Sequence, residues 1–179
     1  VLGNDQQEAI IEMTWQGATL LFNEDCQIVV TGARTRLTIN SKSVPQDSIL
    51  QVEANDELCV GRAIDGFRMY VAIVGGFKTP LVFNSHSQYQ GITKSVKLEK
   101  GDVLDYSSTP RRILNDTAHV NFNSNYLQHH TLDVFKGPEF SQLTSAQQKK
   151  LLNQEFTVSQ HSNRMAYQFE ETISNSLSS

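Results

Sequence analysis

The sequence is poor in cysteine, proline and tryptophan, and it contains no long hydrophobic run. Its 179 residues include two cysteines, four prolines and one tryptophan. Two cysteines are too few for a disulfide framework, and their spacing matches no metal-binding pattern. Because Cys26 and Cys59 each lie in an apolar run, we expect two buried free thiols. Every apolar run is shorter than the ~20 residues that a helix needs to cross a bilayer.

Positive charge is also sparse. The chain has 15 lysines and arginines against 19 aspartates and glutamates, which gives a formal net charge of -4. The densest basic positions are three pairs: Arg34 with Arg36, Arg111 with Arg112, and Lys149 with Lys150. None of these pairs forms the stripe that neutralises a phosphate backbone. With no secretory signal at Val1, we expect a cytoplasmic protein with neither a nucleic-acid nor a membrane partner.

Short apolar segments separated by Asn, Asp or Gly dominate the first hundred residues. Their β-branched composition and even spacing predict β-strands in a sandwich or closed barrel and argue against βαβ units. The predicted strands are 9–15, 19–22, 27–31, 36–39, 48–53, 57–62 and 67–74. In this interpretation Gly32 and the residues around Gly66 lie in the connections between strands.

The pattern changes after residue 108. A strand is predicted at 131–135, and a helix is predicted at 145–154, with Thr144 as its N-cap and Gln147 completing a capping box. The predicted organisation is a β-barrel-forming region at 1–108, an irregular insertion or linker at 109–130, and a β/α region at 131–179. The last region either continues the barrel or starts a second one.

A polar loop follows the most hydrophobic strand and is the first candidate site. Asn84, Ser85, His86, Ser87 and Gln88 offer two hydroxyls, an imidazole and two amides within five positions. Loops on rigid scaffolds often carry function. A catalytic Ser–His pair needs hydrogen-bond reach and an orienting acid, which adjacency of Ser85 and His86 does not supply. We interpret the segment as a substrate-binding loop, with a plain surface turn and a serine hydrolase site as alternatives.

The second candidate is the segment Ser162-Asn163-Arg164-Met165-Ala166-Tyr167. The Arg164 guanidinium suits a carboxylate or a phosphate, and Tyr167 can donate one more hydrogen bond. The alternative is an arginine with a purely structural role.

Two other features are weaker candidates. Glu12 lies in the first predicted strand and must be paired if it is buried, so structural pairing is favoured over catalysis. His129 and His130 are neighbours, and neighbouring side chains on a strand point to opposite faces. We therefore predict no metal site at this pair.

The segment 66–77, G-F-R-M-Y-V-A-I-V-G-G-F, resembles the G-x-R-x-Y-[LV]-A-[VI]-x-G-G-[IF] signature of the carboxyltransferase-like family. That family includes the 5-oxoprolinase C subunit, allophanate hydrolase subunit 2 and part of urea carboxylase, as found in urea amidolyase. Four shorter matches keep the family's order. They are Leu2-Gly3-Asn4 with Ile11-Glu12, Thr31-Gly32-Ala33, Leu98 through Gly101-Asp102 to Leu104, and Ser162 to Tyr167.

The resemblance implies a mainly β fold, a cyclophilin-like β-barrel with one or two short helices. The family's Q-D-x-G-R and T-G-G-Y-P regions have no counterpart here, so we expect the barrel to be incomplete at both ends. The implied activity is that of one component of an ATP-dependent amidohydrolase complex, foremost 5-oxoprolinase, which opens 5-oxo-L-proline to L-glutamate. The implied partners are the two other components of such a complex, an allophanate hydrolase subunit 1-like protein and a LamB/YcsF-type protein.

The resemblance also suggests roles for residues. Arg164 would hold a carboxylate or phosphoryl group, and it is grouped with His86 and Ser85 as catalytic. The expected substrate-binding residues are Asn84, Ser87, Gln88, Ser162, Asn163 and Tyr167. The chain departs from the family at the first loop, where the usual G-S-R-S-T is replaced and His86 stands in place of an arginine. A histidine has a titratable charge and a shorter reach.

Two other functions stay open. The first is a biotin-dependent carboxyltransferase component, which needs a biotinylated lysine, often in an A-M-K-M context that this chain lacks. The second is a non-enzymatic regulator that binds a kinase-inhibitor partner, as one branch of the family is thought to do.

Overall fold

The computed structural model describes residues 1–106, 131–163 and 165–173. Two compact units are present, Val1–His129 and His130–Ser179. The predicted insertion at 109–130, the His129-His130 pair and the predicted catalytic residue Arg164 lie outside the described residues. In the described part, no helix has the length and apolarity needed to cross a membrane.

The first unit is built on β-strands. Its strands are β1 Ile11–Thr14, β2 Thr19–Leu21, β3 Cys26–Ile39, β4 Lys42–Ser43, β5 Leu50–Val52, β6 Glu57–Ile73, β7 Phe77–Lys78 and β8 Asp105–Tyr106. The first six form one antiparallel sheet in which β3 and β6 pair at the centre, while β7 pairs with β8. The expected mainly β fold is confirmed. Among the described strands the sheet is open, with β1 and β4 at its two ends, and it does not close into a barrel.

Strands β3 and β6 are longer than the sequence predicts. The prediction of separate strands at 27–31 and 36–39, and again at 57–62 and 67–74, is wrong, because each pair is one continuous strand. The register between them shifts repeatedly from Gly32 to Leu37, which marks β-bulges. A glycine inside a strand accommodates such a bulge and need not begin a turn.

Gly32 shows why the bulge needs glycine. Its φ is +100°, a conformation that side chains with a Cβ rarely adopt. A Cβ at this position would overlap the carbonyl oxygen of Arg68 and lie 3.1 Å from Cδ2 of Tyr70. The Thr31-Gly32-Ala33 motif is therefore a point of close contact between the two central strands.

The hydrophobic core lies on one face of this bent sheet. On β6, Met69, Val71 and Ile73 are fully buried, whereas the alternating residues Arg68 and Tyr70 are only half-buried. Full burial of each large apolar side chain contributes roughly 1.5–3 kcal/mol. The core also contains Ile11, Met13, Phe22, Ile28, Val30, Leu37, Leu50, Val52, Leu58 and Val60. The opposite face of β6 carries Arg68 and Tyr70, and near the end of the strand Ala72 packs in a second, smaller apolar cluster with Leu2, Val29, Ile49 and Val74.

The N-terminal segment is hydrogen-bonded to the turn after β6. The side-chain amide of Asn4 donates to the carbonyl of Ile73 at 2.7 Å, and its oxygen accepts from the amide of Gly75 at 3.0 Å. Farther along, the amide of Phe77 donates to the carbonyl of Ala9 at 3.1 Å. The Leu-Gly-Asn opening thus has a structural role at the Gly75-Gly76 turn.

The second unit contains the predicted helix, α1 Ser145–Asn153. Its capping box is confirmed: the amide of Gln147 donates to Thr144 Oγ1 at 3.3 Å, and the amide of Thr144 donates to Gln147 Oε1 at 2.7 Å. A short 3₁₀ helix, Pro138–Gln142, precedes it. The strand predicted at 131–135 is wrong, because that segment has no pairing partner among the described residues.

Residues 156–171 form a hairpin-like segment of the second unit. Val158 and Phe169 form an antiparallel bridge, and the rings of Phe156 and Phe169 lie 4.9 Å apart. The amide and hydroxyl of Thr157 each donate to the Glu171 carboxylate at 2.7 Å. These hydrogen bonds lower the pKa of Glu171. No described residue of this unit is buried, so local hydrogen bonds and ring contacts hold the segment.

Candidate functional site

The predicted loop after β7 begins with a tight turn. The backbones of Val82 and Ser85 exchange two hydrogen bonds of 2.9 and 3.0 Å. The two residues between them, Phe83 and Asn84, have φ values of +50° and +59°, as in the two-residue turns of β-hairpins. Asparagine tolerates this conformation, but phenylalanine adopts it rarely. The turn therefore presents Asn84 and a 90% exposed Phe83 at its tip.

His86 is held in place by a residue that belongs to no sequence motif. Its Nδ1 lies 2.9 Å from the hydroxyl of Thr79, and both residues are half-buried. Its Nε2 makes no hydrogen bond to a described residue, so one ring nitrogen is oriented and the other is available. Sequence reasoning missed Thr79, because it precedes the histidine by seven positions and carries no signal of its own.

Ser85 is oriented differently from His86. Its Oγ accepts a hydrogen bond from the amide of Ser87 at 3.1 Å, and it makes none to the imidazole. The hydroxyl proton of Ser85 remains available for a ligand. Nearby, the side-chain amide of Gln88 donates to the carbonyl of His86 at 3.4 Å. These contacts fit a hydrogen-bonding loop better than a Ser–His nucleophile pair.

In the second predicted segment, polar side chains bond to their own turn. Ser162 Oγ accepts from the amide of Gln168 at 2.9 Å and donates to its carbonyl at 3.1 Å. Asn163 Oδ1 accepts from the amide of Met165 at 2.8 Å. Tyr167 is 72% exposed. This segment belongs to the second unit and the Asn84–Gln88 loop to the first, so the grouping of Arg164 with His86 and Ser85 as catalytic stays a prediction.

An ion pair on the sheet face away from the core joins Glu12 and Arg68. Glu12 Oε1 lies 3.7 Å from Arg68 Nε, which confirms structural pairing of Glu12. In the strand register Tyr70 lies opposite Glu12 on one side and Thr31 on the other. The R-x-Y part of the family signature thus places two polar side chains on this face. Sequence reasoning missed them as candidates, although their alternation with buried Met69 and Val71 was a usable signal.

The two cysteines are free and differ in environment. Cys26 is half-buried, but Cys59 is exposed, so the expectation of two buried thiols is wrong for Cys59. The alternation along β6 turns Leu58 and Val60 inward and Cys59 outward. Burial raises the pKa of Cys26 to about 11, an effect that a hydrogen bond with Tyr106 partly offsets. Because the thiolate is the nucleophilic form, Cys26 is a poor nucleophile near neutral pH.

The described residues contain no group of three or more His, Cys, Asp or Glu side chains placed to hold a metal ion. The Gly75-Gly76 turn does not fit a phosphate group. A Cβ on Gly76 would lie 2.8 Å from the Cβ of Glu8, and a carboxylate in this position repels an anion. The chain's own N-terminal segment therefore fills the space where a phosphate-binding turn would be open.

The family model of the carboxyltransferase domain, subdomain A and B, matches residues 1–178. The chain is 26% identical over 177 residues to the 5-oxoprolinase C subunit of Escherichia coli (strain K12), an alignment that covers 97% of this chain and 56% of that protein. It is 32% identical over 108 residues to urea amidolyase of Lachancea kluyveri, covering 58% of this chain and 6% of that protein.

A solved structure shows the same likeness. The crystal structure of the Kluyveromyces lactis urea amidolyase superimposes with a TM-score of 0.68 at 25% identity, covering 95% of this chain and 11% of that one. The chain thus spans about half the length of the E. coli protein and a small part of the urea amidolyases.

Proposed function

Because this chain belongs to the carboxyltransferase domain, subdomain A and B family, we propose that it is one subunit of an amidohydrolase-type enzyme complex. The observation that carries this proposal is the alignment with the 5-oxoprolinase C subunit, which covers 97% of this chain and 56% of that protein. The substrate in this proposal is 5-oxo-L-proline and the product L-glutamate. The chain is active only with its partner proteins.

The loop after β7 supplies the chemistry in this proposal. Ring opening adds a water oxygen to the amide carbon, breaks the C–N bond and gives a proton to the departing nitrogen. His86, oriented by Thr79 and with its second ring nitrogen available, gives that proton as a general acid. The Ser85 hydroxyl and the side chains of Asn84, Ser87 and Gln88 bond the amide group.

The carboxylate of the substrate needs a cation. Arg164 meets this requirement in the proposal, because a guanidinium forms two parallel hydrogen bonds with a carboxylate. Ser162, Asn163 and Tyr167 would then lie beside it. The proposal therefore requires that the second unit bring Arg164 to the same substrate as His86.

ATP is assigned to the complex as a whole. Glu8 occupies the space beside Gly76, so the Gly75-Gly76 turn does not fit a phosphate, and the ATP of the proposed complex would bind elsewhere in that complex. When bound there, ATP would supply the driving force for opening a stable ring amide.

The direct test is reconstitution. The chain is purified with its LamB/YcsF-type and allophanate hydrolase subunit 1-like partners from the same source, and glutamate release from 5-oxoproline is measured with and without ATP. We expect glutamate only when all three proteins and ATP are present. A complete and stably assembled complex that releases no glutamate would refute the proposed activity.

Variants then test the residue roles. Arg164→Ala should cut turnover strongly, and His86→Gln should lower kcat by ~100-fold, the usual contribution of a general acid. His161→Gln is the matched control, because His161 is exposed. Among the described residues its one hydrogen bond runs from its backbone amide to Ser159 Oγ at 3.3 Å. Equal activity of the His86→Gln and His161→Gln complexes would rule out the assigned role of His86.

A biotin-dependent carboxyltransferase component is the second candidate. The name of the matching family and the 32% identity to urea amidolyase support it. The sequence has no A-M-K-M biotin-attachment context, so a biotinylated lysine would come from a partner chain. Carboxyl transfer from a carboxybiotinylated partner, measured with urea as acceptor and absent with 5-oxoproline, would favour this function over the first.

A further inference from the structure

The bulge between β3 and β6 brings two arginines together. Two register pairs flank it, Leu37 with Val60 and Thr35 with Ala63. Arg36 therefore faces two residues of β6, Gly61 and Arg62. Leu37, Val60 and Ala63 point into the core, so Arg36 and Arg62 both project from the opposite face.

Two aromatic residues complete this surface. The guanidinium of Arg62 lies 4.3 Å from the ring centroid of Trp15, and the Trp15 and Phe67 rings are 6.2 Å apart. Trp15 and Phe67 are 44% and 56% exposed. We name Trp15, Arg36, Arg62 and Phe67 the Arg–aromatic patch.

The backbone holds the patch in a fixed shape. The amide of Trp15 donates to the carbonyl of Phe67 at 2.8 Å, and its carbonyl accepts from the amide of Ala63 at 2.9 Å. Trp15 has a φ of +63°, which costs a bulky side chain roughly 1–2 kcal/mol. The fold thus maintains an unfavourable backbone conformation at a residue whose indole ring stays half in solvent.

The charge of the patch has no counterpart in the described residues. Neither Arg36 nor Arg62 forms an ion pair there, where the ion pairs join Arg68 with Glu12 and Lys97 with Glu99. Two like charges on facing strands repel each other, and here they do so on a chain whose net charge is -4. Carboxylates from another molecule would relieve this repulsion.

The composition and shape of the patch point to a polypeptide. Tryptophan, arginine and other aromatic side chains are enriched at the energetic centres of protein interfaces. Small-molecule sites instead are concave and bury most of their ligand, whereas all four side chains here are exposed on the surface of the sheet. Two arginines are also too few for a nucleic-acid track.

We infer that the Arg–aromatic patch docks an acidic segment of the allophanate hydrolase subunit 1-like partner, an inference that rests on the proposed function. Carboxylates of that segment bind Arg36 and Arg62, and an apolar side chain packs on Trp15 and Phe67. In this inference the Arg–aromatic patch contributes to assembly of the complex. Its residues lie elsewhere in the sequence than the Asn84–Gln88 loop, and they belong to different secondary-structure elements.

The experiment compares binding of the allophanate hydrolase subunit 1-like partner to the full chain and to charge variants by isothermal titration calorimetry. Arg36→Glu with Arg62→Glu should weaken the partner's Kd by ~100-fold, because each reversal places like charges at the contact. The wild-type Kd should also weaken with rising salt more steeply than the variant's. Circular dichroism shows whether the charge reversal disturbs folding. If it does, the double variant Arg36→Ala with Arg62→Ala replaces it, and this variant should weaken binding by ~10-fold.

Lys100→Glu is the control for charge reversal at a single position, since Lys100 lies at an exposed turn, and it should leave Kd unchanged. If the partner binds wild type and both double variants equally tightly, the inference is overturned while the proposed function stands. If wild type does not bind the partner, the proposed function fails and the inference fails with it. The inference would also be overturned if the double variants lose ATP binding while their affinity for the partner is unchanged. That result would show that the patch binds a nucleotide instead of a polypeptide.

Discussion

Replacement of Gly32 by alanine tests whether the central bulge is set by contact between strands. Gly101 provides a matched control because its φ is +98°, almost that of Gly32 at +100°. A Cβ on Gly101 would have no heavy atom within 4 Å, whereas one on Gly32 would overlap the Arg68 carbonyl. The two alanine variants therefore share the backbone strain and differ in the steric contact.

The expected magnitudes follow from these two contributions. Placing a Cβ at positive φ costs about 1–2 kcal/mol, and this is the whole effect expected at Gly101. At Gly32 the strands must also separate locally. Gln46 donates to the carbonyl of Ala33 at 2.9 Å and accepts from the amide of Thr35 at 3.1 Å, and each such bond contributes about 0.5–1.5 kcal/mol. The total loss at Gly32 is then about 2–5 kcal/mol.

Urea unfolding followed by far-UV circular dichroism measures both losses, with the slope m checking that the unfolded states are comparable. In a thermal scan the Gly32→Ala midpoint should fall by ~10 °C and the Gly101→Ala midpoint by ~4 °C. Equal losses in the two variants would refute the reasoning, because they would show that contact with Arg68 and Tyr70 adds nothing to the backbone strain.

Three further predictions concern single contacts. Thr79→Val removes the hydrogen bond to His86 Nδ1 and should lower kcat of the assembled complex by ~10-fold. Thr79→Ser should retain activity, and an unchanged kcat for the valine variant would count against a role of the contact. Asn4→Ala loses the bonds to Ile73 and Gly75 and should reduce the free energy of unfolding by about 1–3 kcal/mol, and an unchanged urea midpoint would contradict this. At about pH 8 a thiol reagent should label Cys59 rapidly and Cys26 slowly, because burial raises the pKa of Cys26 to about 11. The Cys59→Ser variant should lack the rapid labelling phase. A rapid phase that persists in this variant would exclude the assignment of that phase to Cys59.

Much of the fold can be predicted because the determining signals are local. The helix α1 follows from Thr144 and Gln147 at capping-box spacing, and the strands β1, β2 and β5 follow from apolar runs bounded by polar residues. The error at 131–135 has a related cause. Its apolar residues satisfy the local pattern, but a strand also requires a partner, and partner choice is not encoded within one segment.

The site residues can be predicted only in part. The hydroxyl and amide groups of the Asn84–Gln88 loop are visible as composition, but their partners depend on folding. Thr79 orients His86 across the turn, and Ser85 bonds to Ser87 instead of to the histidine. The Arg–aromatic patch is not visible in the sequence either, because Trp15, Arg36 and Arg62 come from three separate parts of the chain.

The bulge explains how one sheet can bury both halves of its long strands. On β6 the inward residues near the start are the even-numbered Leu58 and Val60, whereas Ala63, Met69, Val71 and Ile73 near the end are odd-numbered. Strand β3 makes the same change, from Ile28 and Val30 to Ala33 and Leu37. In an unbroken strand the alternation has period two, so one half would face solvent. An extra residue of β6 between Val60 and Ala63 keeps both halves of the strand buried and turns Arg62 outward beside Arg36. The bulge that completes the core therefore also creates the proposed docking surface. A phase change in the apolar pattern at a glycine is therefore the sequence signal for this bulge.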